Sequence, residues 1–404
     1  MIGHDDESLE TTAEAPDGDS ARPPFKWRWG HTVFATVCVI AAAAIIASLI
    51  SIPYYAITPG TAQSVEQLIV VPASHGHEHK GQVLLVDVEL VPLRAIEWPW
   101  FALQSNDQIV GSGALLGTES AAQYQTEGEI DMSDAQQAAT VVALHKLGYK
   151  LKVSPSGALL YALQPDSPAS QSLAVGEVVT GVDDHSVDSA VALGTQLQSH
   201  LPGQTVTMSA YVYPAGKTKQ VAVRLSAWRL QIVGKGKKAQ ATLVCPPYGT
   251  DLRYPIDRVS PDTGKKVTAA PCIGALDVET NYRVGKLPFR IDLSSEGIIG
   301  PSAGLAFTLG LMQRLDPYDL TGRLKVAATG TMSISGQIGD VGGVAQKTIA
   351  VRAAGAKIFF VPPQEYKVAL AHSGNGLKIY PVSSIGQVLT ILERYGGRVP
   401  TSAK

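Results

Sequence analysis

Hydrophobic and polar positions divide the chain into unlike parts. Residues before Arg22 are polar and acidic (Asp5, Asp6, Glu7, Glu10, Glu14, Asp17, Asp19) with no apolar period, so 1–31 reads as a disordered tail. From Thr32 to Ile52 the chain is uncharged and mostly apolar. About 20 such residues at 1.5 Å rise cross a ~30 Å hydrocarbon core. Arg22, Lys26 and Arg28 precede the run, and the first charge after it is Glu66. The positive-inside rule then predicts a single-pass helix at 32–52, with the tail cytoplasmic and the remainder outside. Trp27 and Trp29 fit one interface, Tyr54 and Tyr55 the other. A cleaved secretory signal is the alternative, but the run is long for one and no A-x-A site follows.

Beyond the run the pattern mixes strand and helix periods. In 53–150, read as a linker and the first part of a globular region, "GQVLLVDVELV" alternates like a strand. "MSDAQQAATVVALHKLG" reads as a helix with Ser133 as N-cap and Gly148 as stop, preceded by a loop containing "QTEGEID". Residues 151–226 form a β-rich module with one amphipathic helix, "SAVALGTQLQSHLPG". "VGKGKKAQ" then reads as a solvated hairpin tip carrying Lys235, Lys237 and Lys238. In the last part, 227–395, "LPFRIDL", "SSEGIIGPSAG" and "AGLAFTLGLMQRL" read as strand, glycine-rich turn and helix. "KVAATGTMSISGQIGDVGGVAQKTIAVRAAGAKIFFVP" continues with strand, turn, strand, glycine-rich turn, helix and strand, and 396–404 is a short tail. The fold class is α+β.

Composition narrows the choice. At 404 residues, 45% hydrophobic, the chain suits two or three domains with sizeable cores. A net charge of −2 excludes the basic excess of a nucleic-acid binder. Cys38 lies in the apolar run, whereas Cys245 and Cys272 lie beyond it, where an oxidising compartment would pair them; two buried free thiols are the alternative. The histidines of "HGHEH" at 75–79 sit two apart, but the surrounding "ASHGHEHKG" reads as a turn without a fourth ligand, so no metal is assigned.

The candidate chemistry centres on Ser302 and Lys347. Ser302, in "GPSAG", falls at the first turn of a helix, where unpaired N–H groups and the positive dipole end stabilise developing negative charge. That place suits an oxyanion hole, a phosphate, or a plain N-cap. On a helical wheel Lys347 lies between Ala350 and Ala354 on one side and Val344 and Val351 on the other, away from Thr348 and Arg352. Such a lysine is either desolvated, which disfavours its charge, or snorkels to water.

"GPSAG", then "TGTMSISGQIGDVGG", then Lys347 resembles the proteolytic domain of Lon proteases over about 285–365. The resemblance implies a Ser–Lys dyad, with Ser302 as nucleophile, Lys347 as base and Thr329 orienting the lysine. It also implies an oxyanion hole from backbone amides of Ser302 and Ala303. Residues 151–226, notably "SPA…VGEVVTGVDDHSV", resemble a bacterial PDZ domain. This implies capture of an extended peptide tail, with an amide loop near Ser156, Gly157, Ala158 and Leu159, or gating of the site; a PDZ-shaped spacer that binds no tail is the alternative. A glycine-leucine pair expected by that pattern is replaced by "SQSLAVGE". The whole arrangement resembles membrane-anchored, PDZ-containing Lon-like proteases, implying an inserted or adjacent PDZ domain and a homo-oligomer, possibly a hexamer.

Two departures stand out: Ile299 where Lon proteases carry an acid before Gly-Pro-Ser, with Glu296 the nearest carboxylate, and Thr331 where a glutamate is usual. The chain contains no G-x-x-x-x-G-K-[ST], since "SPDTGKKV" lacks the first glycine. The expectation is a cofactor-free, ATP-independent endopeptidase acting on unfolded or flexible proteins. The alternatives are a catalytically silent PDZ scaffold and phosphate binding at Gly300–Gly304.

Overall fold

A computed structural model describes residues 29–117, 120–214, 216–233, 240–247, 258–259, 266–267 and 270–400. Most of the N-terminal tail, the lysine-bearing tip at 235–238 and the last four residues lie outside the described residues.

Two compact units emerge, one of residues 29–51 with Arg94–Glu97 and a second holding the rest. The first unit is dominated by helix α1 (Trp29–Leu49), the one helix among the described residues long and apolar enough to cross a membrane. Its 21 residues reach about 31 Å. It ends before the expected Ile52, because Pro53 cannot continue a helix and the chain is already extended from Ser51.

Apart from their end residues Ser51 and Arg94, strands β1 (Ser51–Ser64) and β2 (Gln82–Arg94) belong to the second unit, as do a short helix α2 (Trp98–Leu103) and strand β3 (Gln108–Gly111). Helix α3 (Ala121–Lys146) follows. Then come β4 (Val153–Leu163), β5 (Glu177–Val182), α4 (Ala190–Gln198), β6 (Thr205–Val212), β7 (Lys219–Arg224) and β8 (Ala275–Val284). The C-terminal part comprises α5 (Gly304–Leu315), β9 (Lys325–Ala328), α6 (Val344–Ala353), β10 (Ile358–Val361), α7 (Tyr366–His372), β11 (Lys378–Pro381) and α8 (Ile385–Arg394).

Helix α3 corrects the sequence reading. It starts at Ser120, whose side chain and that of Gln123 form a reciprocal capping box, and it runs without a break through "QTEGEID" and Ser133. Gly128 sits inside it because a neighbouring loop occupies the space a side chain would need.

Among the described residues, the larger sheet has the order β11–β10–β9–β2–β1–β3, with β2, β9, β10 and β11 mutually parallel. Its central strands are buried on both faces, as parallel strands between helices require. Val83, Leu85, Val326, Ala328 and Phe360 face a core with Leu305, Phe307 and Leu309 of α5, Val142 of α3 and Val388 of α8. The alternate residues Leu84, Val86, Ala327, Phe359 and Val361 face a second core with Val344 and Val351 of α6 and Ala369 of α7. Strands from 51–111 and from 325–381 thus share one sheet, so this region is discontinuous in sequence.

The smaller sheet has the main path β8–β4–β5–β6–β7 and packs over α4 through Leu160, Val179, Leu193, Leu197, Val206 and Met208. Its strand β8 comes from beyond the expected boundary at 226/227, so residues of the last part complete the β-rich module.

Candidate active site

The loop 294–303 joins the two halves of the site. Gly300 carries φ 89°, a conformation that glycine adopts without strain, and turns the chain into the single turn Pro301–Ala303 that leads α5. The Gly300 amide donates to the Gly128 carbonyl of α3 at 2.7 Å. Ser302 is held further by its own carbonyl, which accepts from the Gly330 amide at 3.0 Å and from Thr329 Oγ1 at 3.3 Å.

Helix α6 delivers Lys347 one turn from its start. The side chain is only 3% exposed, so the desolvated arm of the sequence reading holds and the snorkelling one does not. Its Nζ donates to Ser302 Oγ at 2.8 Å and to Thr329 Oγ1 at 3.2 Å. Thr329, itself fully buried, directly follows β9 and bridges serine and lysine. Burial pushes the Lys347 amine down to about 8, while the negative charges of Asp87 and Glu365 pull the other way. A lysine so placed holds a substantial neutral fraction near neutral pH.

The serine and lysine open onto a cleft of about 740 Å³ lined by β2, α3, the 296–302 loop and 340–343. Five carboxylates line it, Asp87, Glu127, Asp131, Glu296 and Asp340, and Lys347 is the one basic lining residue among those described. Asp131 is pushed up to about 7, first by burial and then by Glu279, Asp134 and Asp277. Ser302 and Ala303 lie at the helix start, where the first N–H groups have no intrahelical partner.

The smaller sheet corrects a second expectation. Ser156, Gly157, Ala158 and Leu159 lie inside β4 rather than in an open amide loop. One edge of β4 pairs with β5 (Ala158 with Val179, Leu159 with Val178). The other pairs with β8 (Gly157 with Asn281, Ala158 with Thr280, Leu159 with Glu279). The edge that a peptide would extend is taken by the chain itself. Cys245 and Cys272 form the expected disulfide, and both are buried. Asp87, Glu365 and Gly128 escaped the sequence reading, because nothing in their local pattern marks them as neighbours of Lys347 or Ser302.

Residues 296–393 match the Lon protease (S16) C-terminal proteolytic domain. The Lon protease of Treponema pallidum (strain Nichols) is 34% identical over 103 residues, covering 25% of this chain and 12% of that protein. Lon protease 2 of Bacillus subtilis (strain 168) is 35% identical over 94 residues, covering 23% of this chain and 16% of its own length. The chain therefore spans well under a fifth of these relatives. Among solved structures, the PDZ domain of an SdrC-like protein from Listeria monocytogenes is 24% identical and matches 23% of this chain and 93% of its own, with a TM-score of 0.18.

Proposed function

We propose that this protein is a membrane-anchored serine endopeptidase that cuts unfolded or flexible extracytoplasmic polypeptides without ATP, using Ser302 and Lys347. One observation carries the reading: a buried amine pushed down to about 8 lies 2.8 Å from a hydroxyl at a helix start, inside an open cleft. The match of 296–393 to the Lon proteolytic domain supports the same chemistry.

In this reading the neutral Lys347 amine takes the Ser302 proton as Oγ attacks the peptide carbonyl carbon. Backbone amides at Ser302 and Ala303 receive the developing oxyanion. The resulting ammonium then protonates the departing amine nitrogen as the C–N bond breaks, leaving an acyl ester on Ser302. Water, deprotonated by the same lysine, hydrolyses the ester and restores the serine. Thr329 positions Nζ and does not itself exchange a proton. The β-rich module regulates access to the cleft and, with β8 along β4, does not capture substrate tails at that edge.

The test compares the intact chain with Ser302→Ala and Lys347→Ala on casein without ATP. Wild type should cleave, and each variant should lose roughly 10⁴-fold or more. Equal cleavage by all three would remove the dyad. No cleavage by wild type would favour a silent scaffold.

A further inference from the structure

Helices leave their last carbonyls without intrahelical partners, and in a spanning helix those groups lie at the bilayer surface. In α1 the chain itself takes up this role. The Ile96 amide donates to the Ala47 carbonyl at 3.3 Å and the Ala95 amide to the Ile50 carbonyl at 2.9 Å. Arg94 Nη1 donates to the Ser48 carbonyl at 3.2 Å. Residues 94–96 therefore sit at the level where α1 ends.

The chain then enters α2, "WPWFAL", which has no charged residue and buries none of its six. Ile96, Trp98, Trp100 and Leu103 are 43%, 45%, 66% and 86% exposed. Connectivity alone keeps Trp98 within about 8 Å of Ile96, since successive Cα atoms are 3.8 Å apart. The headgroup layer on each side of the hydrocarbon is itself roughly 5–8 Å deep. Tryptophan is the residue enriched there, its ring apolar and its N–H able to reach water or headgroups.

We propose that Ile96–Leu103 is a second membrane contact, an interfacial segment lying in the lipid headgroup layer of the leaflet where α1 ends. The inference rests on the reading of α1 as a spanning anchor. The partner is a lipid bilayer, chosen over a protein surface because the segment continues directly from the residues that cap α1 and carries belt-type side chains.

The test uses the full chain in phosphatidylcholine–phosphatidylglycerol vesicles, with single-tryptophan variants retaining Trp29, Trp100 or Trp228 and phenylalanine at the other tryptophans. Lipids brominated near the carbonyl end of the acyl chain quench indoles at the interface. Trp29 and Trp100 should lose fluorescence to a comparable extent, and Trp228 should not. Quenching of Trp29 without Trp100 would overturn the inference and leave the anchor standing. Quenching of neither would overturn both. A Trp100 shielded from acrylamide yet untouched by brominated lipid would mean that protein, such as a second copy, covers it, and the inference falls. Loss at all three positions would mean general adsorption, which also overturns it.

Discussion

Gly128, in the first third of α3, accepts a 2.7 Å hydrogen bond through its carbonyl from the amide of Gly300, two residues before Ser302. A Cβ built at Gly128 would lie 2.8 Å from Ile299 Cδ1 and 2.9 Å from its Cβ. The helix and the serine loop can approach this closely only over a glycine.

Gly128→Ala should therefore displace the loop, although alanine favours a helix by about 1 kcal/mol over glycine. We expect kcat to fall roughly tenfold or more, because small misplacements of a reacting group are costly. Gly194→Ala, also in a helix but facing open space, should leave kcat unchanged and be neutral or stabilising. Steady-state kinetics with a thermal melt on both variants separates displacement from unfolding.

The pH profile should report Lys347. Only the neutral amine accepts a proton, so kcat/KM should rise with pH and level off above an inflection near 8. At pH 7 about a tenth of the molecules carry the neutral base. Glu365 raises the lysine, so Glu365→Gln, which preserves an acceptor for the Val341 amide, should move the inflection to lower pH. An inflection that moves upward or not at all would contradict the assignment of base.

Thr329→Val removes the hydrogen bond from the lysine and the one to the Ser302 carbonyl while keeping the volume nearly unchanged. Losing a bond to a charged or chargeable group costs about 1.5–3 kcal/mol, so the rate should drop roughly 10- to 100-fold. Thr329→Ser should restore most of it, which a purely steric role for the side chain would not produce.

The carboxylates of the cleft favour cationic segments. Peptides with lysine or arginine near the scissile bond should be cut faster than glutamate counterparts, with the gap narrowing at high salt. Because Asp131 titrates near 7, the preference should strengthen as pH rises through that value. Equal rates for both peptides at low salt would exclude this electrostatic selection.

Thiol titration under denaturing, non-reducing conditions should find one reactive cysteine, Cys38, and three after reduction. The cross-link joins residues 27 apart, which in the chain-entropy account stabilises by roughly 3–4 kcal/mol. Reduction should lower the melting temperature accordingly.

The sequence by itself determined what each segment is made of. The uncharged run specified an apolar helix, the apolar stretch Val83 to Val86 within "GQVLLVDVELV" specified a strand, and the small-residue patterns beside Ser302 and around Lys347 specified helices. These are local properties, written in periods of two or 3.6 residues. Tertiary structure decided what meets what. Ser302 reaches Lys347 across 45 positions only because β9 lies parallel to both β2 and β10 and is followed directly by Thr329, whose hydroxyl bonds both residues. The same packing brings Asp87 and Glu365 close enough to act on the amine, and Gly128 against the serine loop. It also sends β8 to the edge of β4, where the sequence had read an open peptide site. Strand pairing between distant residues depends on the packing of whole elements, and a local period carries no record of it.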